Sequence, residues 1–377
     1  MEKKQIYWLD SVKGIACWMV FLGHFNTAFG YLPFINRWVD AGKYSSFLIS
    51  GATALNMFYI VFAFLAARSF LFRSEDYPLR AGKAVVKRYF RLAIPVFIVE
   101  VLVFAVQKTG LWTGRFETMP ARNISFGEIL YDSFIGSMFH GSANVYDVFW
   151  MMNKLFIGYI FVLIMCMIVI FMSRPFRFFI LIVVTASLLF LRNEYFPMVY
   201  GIILYMMYRD IYDEESPVKR KKLPCIFGGA ILLIISTFCS GWNEHLAYRF
   251  RDSSCEFLRL SYVYCWIAAV LIMTGLILCS PVLKLLDNRK LALSGKICFP
   301  VYLFHKLCML TVGDCAFRFF DARSSGYINH GVKAAFFVSV TSVVVMSVLY
   351  VRFIEPLINR LIAFIIRAME KRRENGI

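Results

Sequence analysis

The sequence predicts an all-α polytopic membrane protein, a bundle of about ten transmembrane helices with both termini in the cytoplasm. Three observations predict it. Of 377 residues, 60% are hydrophobic and 18% aromatic, with a mean hydropathy of +0.65, whereas ordinary soluble domains are roughly 45–50% apolar. Runs of about 20 apolar residues recur from end to end, each able to cross a hydrocarbon core of roughly 30 Å. The charge is also one-sided. With the N-terminus placed in the cytoplasm, about 26 of the 41 Lys and Arg fall on the cytoplasmic side and about 12 outside. Topology thus accounts for most of the net charge of +17, and nucleic acid is not an expected partner.

The elements follow in order. The first apolar segment, 8–29, carries Asp10, Lys13 and His24, and no small-residue cleavage site follows, which predicts a retained span and not a secretory signal. Spans at 45–67 and 92–106 come next, separated by the basic cluster 80–91. Residues 107–147 form the longest non-spanning stretch and are expected outside. With Trp112, Tyr131, Phe134 and Phe139 they are too aromatic for a disordered linker, which predicts a lid or re-entrant element. Spans at 148–172 and 178–191 flank Ser173-Arg174-Pro175, and the span at 195–208 ends in Asp213-Glu214-Glu215-Ser216-Pro217. The remaining spans are 223–240, 260–280, 297–319 and 333–354, with basic clusters at 219–222 and 371–373. Two spans are short, so a count of nine or eleven is also compatible. No stretch is polar enough for a separate soluble domain, so one membrane domain is expected to fill 1–377. No internal repeat is visible. The cysteines lie mostly inside apolar runs, without Cys-x-x-Cys or zinc spacing, so no metal is expected.

Charges within spans mark sites or buried pairs, because each costs several kcal/mol in hydrocarbon. Lys13 and His24 are eleven residues apart, which brings them back to one helix face, roughly 16 Å apart along the axis. A face with an acid, a base and an imidazole must look into the bundle or a wet cavity. Two readings of it stand. Either Asp10 and Lys13 form an interfacial ion pair while His24 bonds a backbone group, or His24 is a general base. In the late segment ICFPVYLFHKLCML, His305 follows Tyr302 by three residues, and a lone histidine there is also compatible with packing. Glu100, Lys154 and Asp314 are further ionisable groups without assigned partners. Arg88 and Arg91 are three apart in KAVVKRYFRLAIP, suited to phosphate contacts or to lipid headgroups.

Three segments together resemble the membrane-bound acyltransferase family 3. IYWLDSVKGIACWMVFLGHFN is similar to that family's opening helix, and the ten residues between Lys13 and His24 match its basic-(ten)-His signature. KRYFRLAIP resembles its Arg-x-x-Arg segment at Arg88 and Arg91. SGKICFPVYLFHKL resembles its late Tyr-Leu-x-His motif at Tyr302, Leu303 and His305. Lysine in the first motif looks closest to the fucose 4-O-acetylase-like branch. The family's aromatic Ser-Gly motif is present only as Phe58-Tyr59-Ile60-Val61-Phe62-Ala63-Phe64, and the acid that follows its Trp motif is absent near Phe149-Trp150, where Asn153 and Lys154 stand.

The resemblance implies a multi-pass enzyme of the cell membrane. It would move an acetyl or other short acyl group from acyl-CoA to a hydroxyl of a surface polysaccharide or lipid-linked glycan precursor, without a metal. His24 would be the general base, with Lys13 and Asp10, further along the same helix, as the other catalytic residues. Arg88, Arg91, Tyr302 and His305 would hold the acyl-CoA. Beyond acyl-CoA and the glycan acceptor, membrane lipid is the expected partner, and the oligomeric state is open. A proton-coupled secondary transporter built on the buried ionisable groups is the alternative, and an inactive partner protein is a third reading.

Overall fold

The computed structural model describes residues 6–30, 44–109, 124–212, 222–251, 253, 259–321 and 330–374. Trp112, the acidic stretch 213–217 and most of the basic cluster 219–222 therefore lie outside the described residues.

The described residues are mainly helical, with no strand among them. In chain order the helices are α1 (Tyr7–Phe29), α2 (Gly51–Phe70), α3 (Tyr77–Thr109) and α4 (Phe126–Tyr131), the last continuing as a π-helix over Asp132–His140. Then come α5 (Trp150–Ile170), α6 (Arg174–Phe190), α7 (Phe196–Tyr212), α8 (Lys222–Gly241), α9 (Asn243–Arg249), α10 (Ser261–Leu278), α11 (Ser280–Leu286) and α12 (Arg289–Lys296). Finally α13 (Cys298–Cys308) passes through a π-helical turn into α14 (Asp314–Asp321), and α15 (His330–Leu349) continues the same way into α16 (Glu355–Glu374).

Among the described residues, six helical stretches are long and apolar enough to cross a membrane, or seven if the bent pair of α12 and the α13–α14 segment is one span. The molecule is an integral membrane protein. Large apolar side chains left exposed on α6 and α8, among them Phe179, Ile182, Phe227 and Ile234, belong against lipid tails, where they need no protein partner.

The chain divides into two compact units, residues 1–74 with 162–298, and 75–161 with 299–377. In the first unit the core is aromatic where α1, α2 and α7 meet. Phe64 stands edge-on to Trp8 at 5.9 Å and to Tyr205 at 5.2 Å. The aromatic segment 58–64 thus serves as packing, with Ile60, Ala63 and Phe64 fully buried. In the second unit α3 packs against the π-helix after α4 and against α16.

Helix ends depart from the expected spans for a physical reason. Hydropathy registers only the apolar core, whereas a helix continues wherever its backbone bonds can. α3 therefore starts at Tyr77, well before the apolar stretch at 92–106, because its Lys- and Arg-rich first turns are good helix formers. The expected span at 297–319 is not one regular helix. It is interrupted by the π-turn at Met309–Gly313.

Candidate functional site

The site residues on α1 belong to the first unit, and their positions follow from how α1 is seated. Its first turn has no capping side chain, so its exposed N–H groups need other partners. Asp287 supplies one, accepting from the Trp8 backbone N–H at 3.1 Å. Ser11 donates to the Leu286 carbonyl at 2.7 Å, and the Cys17 thiol donates to the Cys298 carbonyl at 3.1 Å. Two glycines let the backbones close. A Cβ added to Gly14 would collide with Ser294, and one added to Gly295 would collide with the Asp10 carbonyl. The opening motif is thus locked onto the Ser294-Gly295 start of the late motif.

On this seat Asp10 and Lys13 form an ion pair of 2.6 Å, with side chains 18% and 24% exposed. His24 is half-buried three turns further along α1. Its neighbour Gly23 crosses the start of α2, where an added Cβ would approach the Ile49 carbonyl to 2.8 Å. Beside that crossing lies a cluster of hydroxyls that sequence reasoning did not single out. Ser50 donates to Thr53 Oγ1 at 2.8 Å, and Thr53 lies 2.8 Å from Ser240 Oγ. Thr53 and Ser240 are fully buried. Ser50 and Thr53 are neighbours at the N-cap of α2, but Ser240 comes from α8, and no local pattern joins it to them.

The remaining predicted residues lie in the second unit. Arg88 and Arg91 share α3 but turn to different neighbours. The Arg88 guanidinium sits over the Tyr159 ring at 5.8 Å, and exposed Arg91 donates to Asn359 Oδ1 at 2.8 Å. Tyr302 is buried and donates its hydroxyl to the Val148 carbonyl. His305 is buried too, with Nδ1 2.6 Å from the Tyr302 carbonyl. A carbonyl only accepts, so Nδ1 carries the proton and Nε2 is the basic nitrogen of the ring. Lys306 reaches Asp147 at 2.6 Å, and the Tyr146 hydroxyl accepts from the Leu307 N–H at 2.7 Å. One short segment, 146–148, thereby anchors α13.

Two of the unassigned ionisable residues find partners in the same unit. Asp314 pairs with Arg318 one turn on, at 2.9 Å. Glu100, completely buried, accepts from Ser133 at 2.6 Å and hydrogen-bonds Asp132. Burial pushes the Asp132 carboxyl above its ordinary range, against the opposing bond it accepts from the Val145 N–H at 3.1 Å. Two carboxyls in contact hold at least one proton between them. This pair fastens the π-helix of 132–140 to α3, so the helical part of the aromatic segment, 126–140, packs on α3.

Among the described residues no group of three His, Cys, Asp or Glu is placed to hold a metal ion. The helices and their polar contacts define a multi-pass membrane protein in which ionisable side chains are held on helices by specific partners. Its class follows from comparison with known families: a family model described as an acyltransferase domain matches residues 6–351. The chain belongs to the acyltransferase family 3 and is a membrane acyltransferase. No curated protein and no solved structure matches it. The transporter reading finds no support.

Proposed function

We propose that this membrane acyltransferase moves an acetyl or other short acyl group from acyl-CoA to a hydroxyl of a surface polysaccharide or lipid-linked glycan precursor, in the manner of the fucose 4-O-acetylase-like branch. What supports the reading is the seating of α1. The whole basic-(ten)-His motif is carried on a helix clamped by Gly14 and Gly295, and the family match covers it.

In this reading His24 accepts the proton of the acceptor hydroxyl as its oxygen attacks the thioester carbonyl carbon. The tetrahedral intermediate collapses, the C–S bond breaks, and the CoA thiolate leaves and takes up a proton. Lys13 lies about 16 Å from His24 along the helix, too far to touch the same carbonyl, so it orients a more distant part of the substrates. Asp10 fixes the Lys13 ammonium through their 2.6 Å pair. Arg88 and Arg91 neutralise donor phosphates, for which an exposed guanidinium on Arg91 is suited. Tyr302 and His305 complete the donor site, Tyr302 as the post that presents Nε2 of His305.

The protein spans the cell membrane about ten times with both termini cytoplasmic. To the six long apolar helices this reading adds the bent pair as one span, together with α1, about 35 Å long, and α6 and α7, each about 26 Å long. The test is transfer of radiolabel from acetyl-CoA by purified protein in liposomes. Label on a lipid-linked or polysaccharide acceptor is expected. Absence of donor consumption with several acyl-CoAs would favour an inactive partner protein.

A further inference from the structure

We propose that the groove between α3 and α16 binds the adenosine end of the acyl-CoA donor, an inference that rests on the acyl-CoA reading above and adds a site to it. Both helices run well beyond the apolar part of their sequences. From Arg91 back to Gly82, α3 extends about 13 Å, and from Glu355 to Met369, α16 extends about 21 Å. The two are tied side by side by Arg91 with Asn359 and by Lys83 with Glu370. A groove of about 650 Å³ lies between them at the Gly82–Met369 level. That level lies before the apolar stretch 92–106 of α3, on the side read as cytoplasmic, so its ligand comes from water.

The groove's chemistry suits a purine carrying phosphates. Leu79, Ile366 and Met369 supply apolar walls, and thioether and branched side chains pack well on a flat ring. Gly82 leaves the helix backbone bare at the groove, for a Cβ added there meets no atom within 4 Å. Lys83, Lys87 and Arg91 recur every fourth residue, which makes one cationic stripe leading from the groove toward the membrane. Lys87 and Arg91 are exposed. The Lys83–Glu370 pair is itself 36% and 42% exposed, and a pair so accessible holds weakly, so Lys83 is able to exchange Glu370 for a ligand phosphate. A base in the groove then sends its diphosphate along the stripe to Arg91, and the pantetheine arm continues toward the membrane.

The experiment compares acetyl-CoA with S-acetylpantetheine, which has the same thioester and no nucleotide, in wild type and in Gly82→Leu. The new side chain enters open space and leucine is a better helix former than glycine, so the variant folds. The expected result is a rise of about tenfold in the KM for acetyl-CoA relative to that for S-acetylpantetheine. Ile366→Trp, which fills the groove from the other helix, gives the same split. The proposal is overturned if both donors change alike, if neither changes, or if wild type uses acetyl-CoA no better than S-acetylpantetheine. Failure of wild type to use or bind acetyl-CoA at all removes instead the donor reading beneath it.

Discussion

Gly295→Ala tests how Asp10 and Lys13 are positioned. The added Cβ would fall on the Asp10 backbone carbonyl, and backbone cannot rotate away as a flexible side chain can. With that Cβ 2.0 Å from the carbonyl oxygen and ordinary contact starting at 3.4 Å, α1 and α12 must therefore separate by about 1.4 Å. Overpacking of this kind costs about 1–3 kcal/mol, and alanine returns roughly 0.5–1 kcal/mol of helix propensity, so net destabilisation is about 0–2.5 kcal/mol. The effect on turnover is larger, since a shift of about 1 Å in how the substrates are held costs on the order of 100-fold even when the mutation is far from the chemistry. Acetyl-transfer rates and thermal unfolding in detergent read the two effects separately. Gly228→Ala is the control, because its added Cβ meets no atom within 4 Å, and it should unfold no earlier than wild type and keep full activity. A Gly295→Ala protein with wild-type rate and wild-type melting would show that this approach does not hold Asp10 in place.

Other substitutions separate packing from chemistry. Glu100→Gln keeps the shape and the Ser133 bond, so stability should fall by no more than about 1 kcal/mol, whereas Glu100→Ala removes the acceptor of Ser133 and opens a cavity at a cost of about 2–5 kcal/mol. Equal damage from both, in thermal unfolding, would mean that the pair does not share a proton. Tyr302→Phe removes the bond to the Val148 carbonyl and should cost about 1–3 kcal/mol. An unchanged melting temperature would show that the phenol does not anchor α13.

Much of the fold was legible in the sequence because lipid imposes a simple rule. Backbone polar groups must be satisfied within a segment, so long apolar runs are helices. The Asp10–Lys13 pair was legible too, since three residues bring side chains together on any helix, and so was the shared face with His24. What stayed hidden is long-range. Nothing local ties Glu100 to Asp132 and Ser133, Lys306 to Asp147, or Thr53 to Ser240, because these contacts depend on which helices pack. Gly14 and Gly295 are ordinary glycines until the helices that cross at them are known. The division of Arg88 toward Tyr159 and Arg91 toward Asn359 is equally a matter of neighbours, although their i,i+3 spacing places them side by side.

The most direct test of the account is single-turnover acetyl transfer by wild type and His24→Ala, with acetyl-CoA binding measured on the same samples. A general base contributes about 10²–10⁴-fold, so the account predicts a loss of at least roughly 100-fold in transfer with donor binding retained. A His24→Ala protein that keeps most of its transfer rate would contradict it.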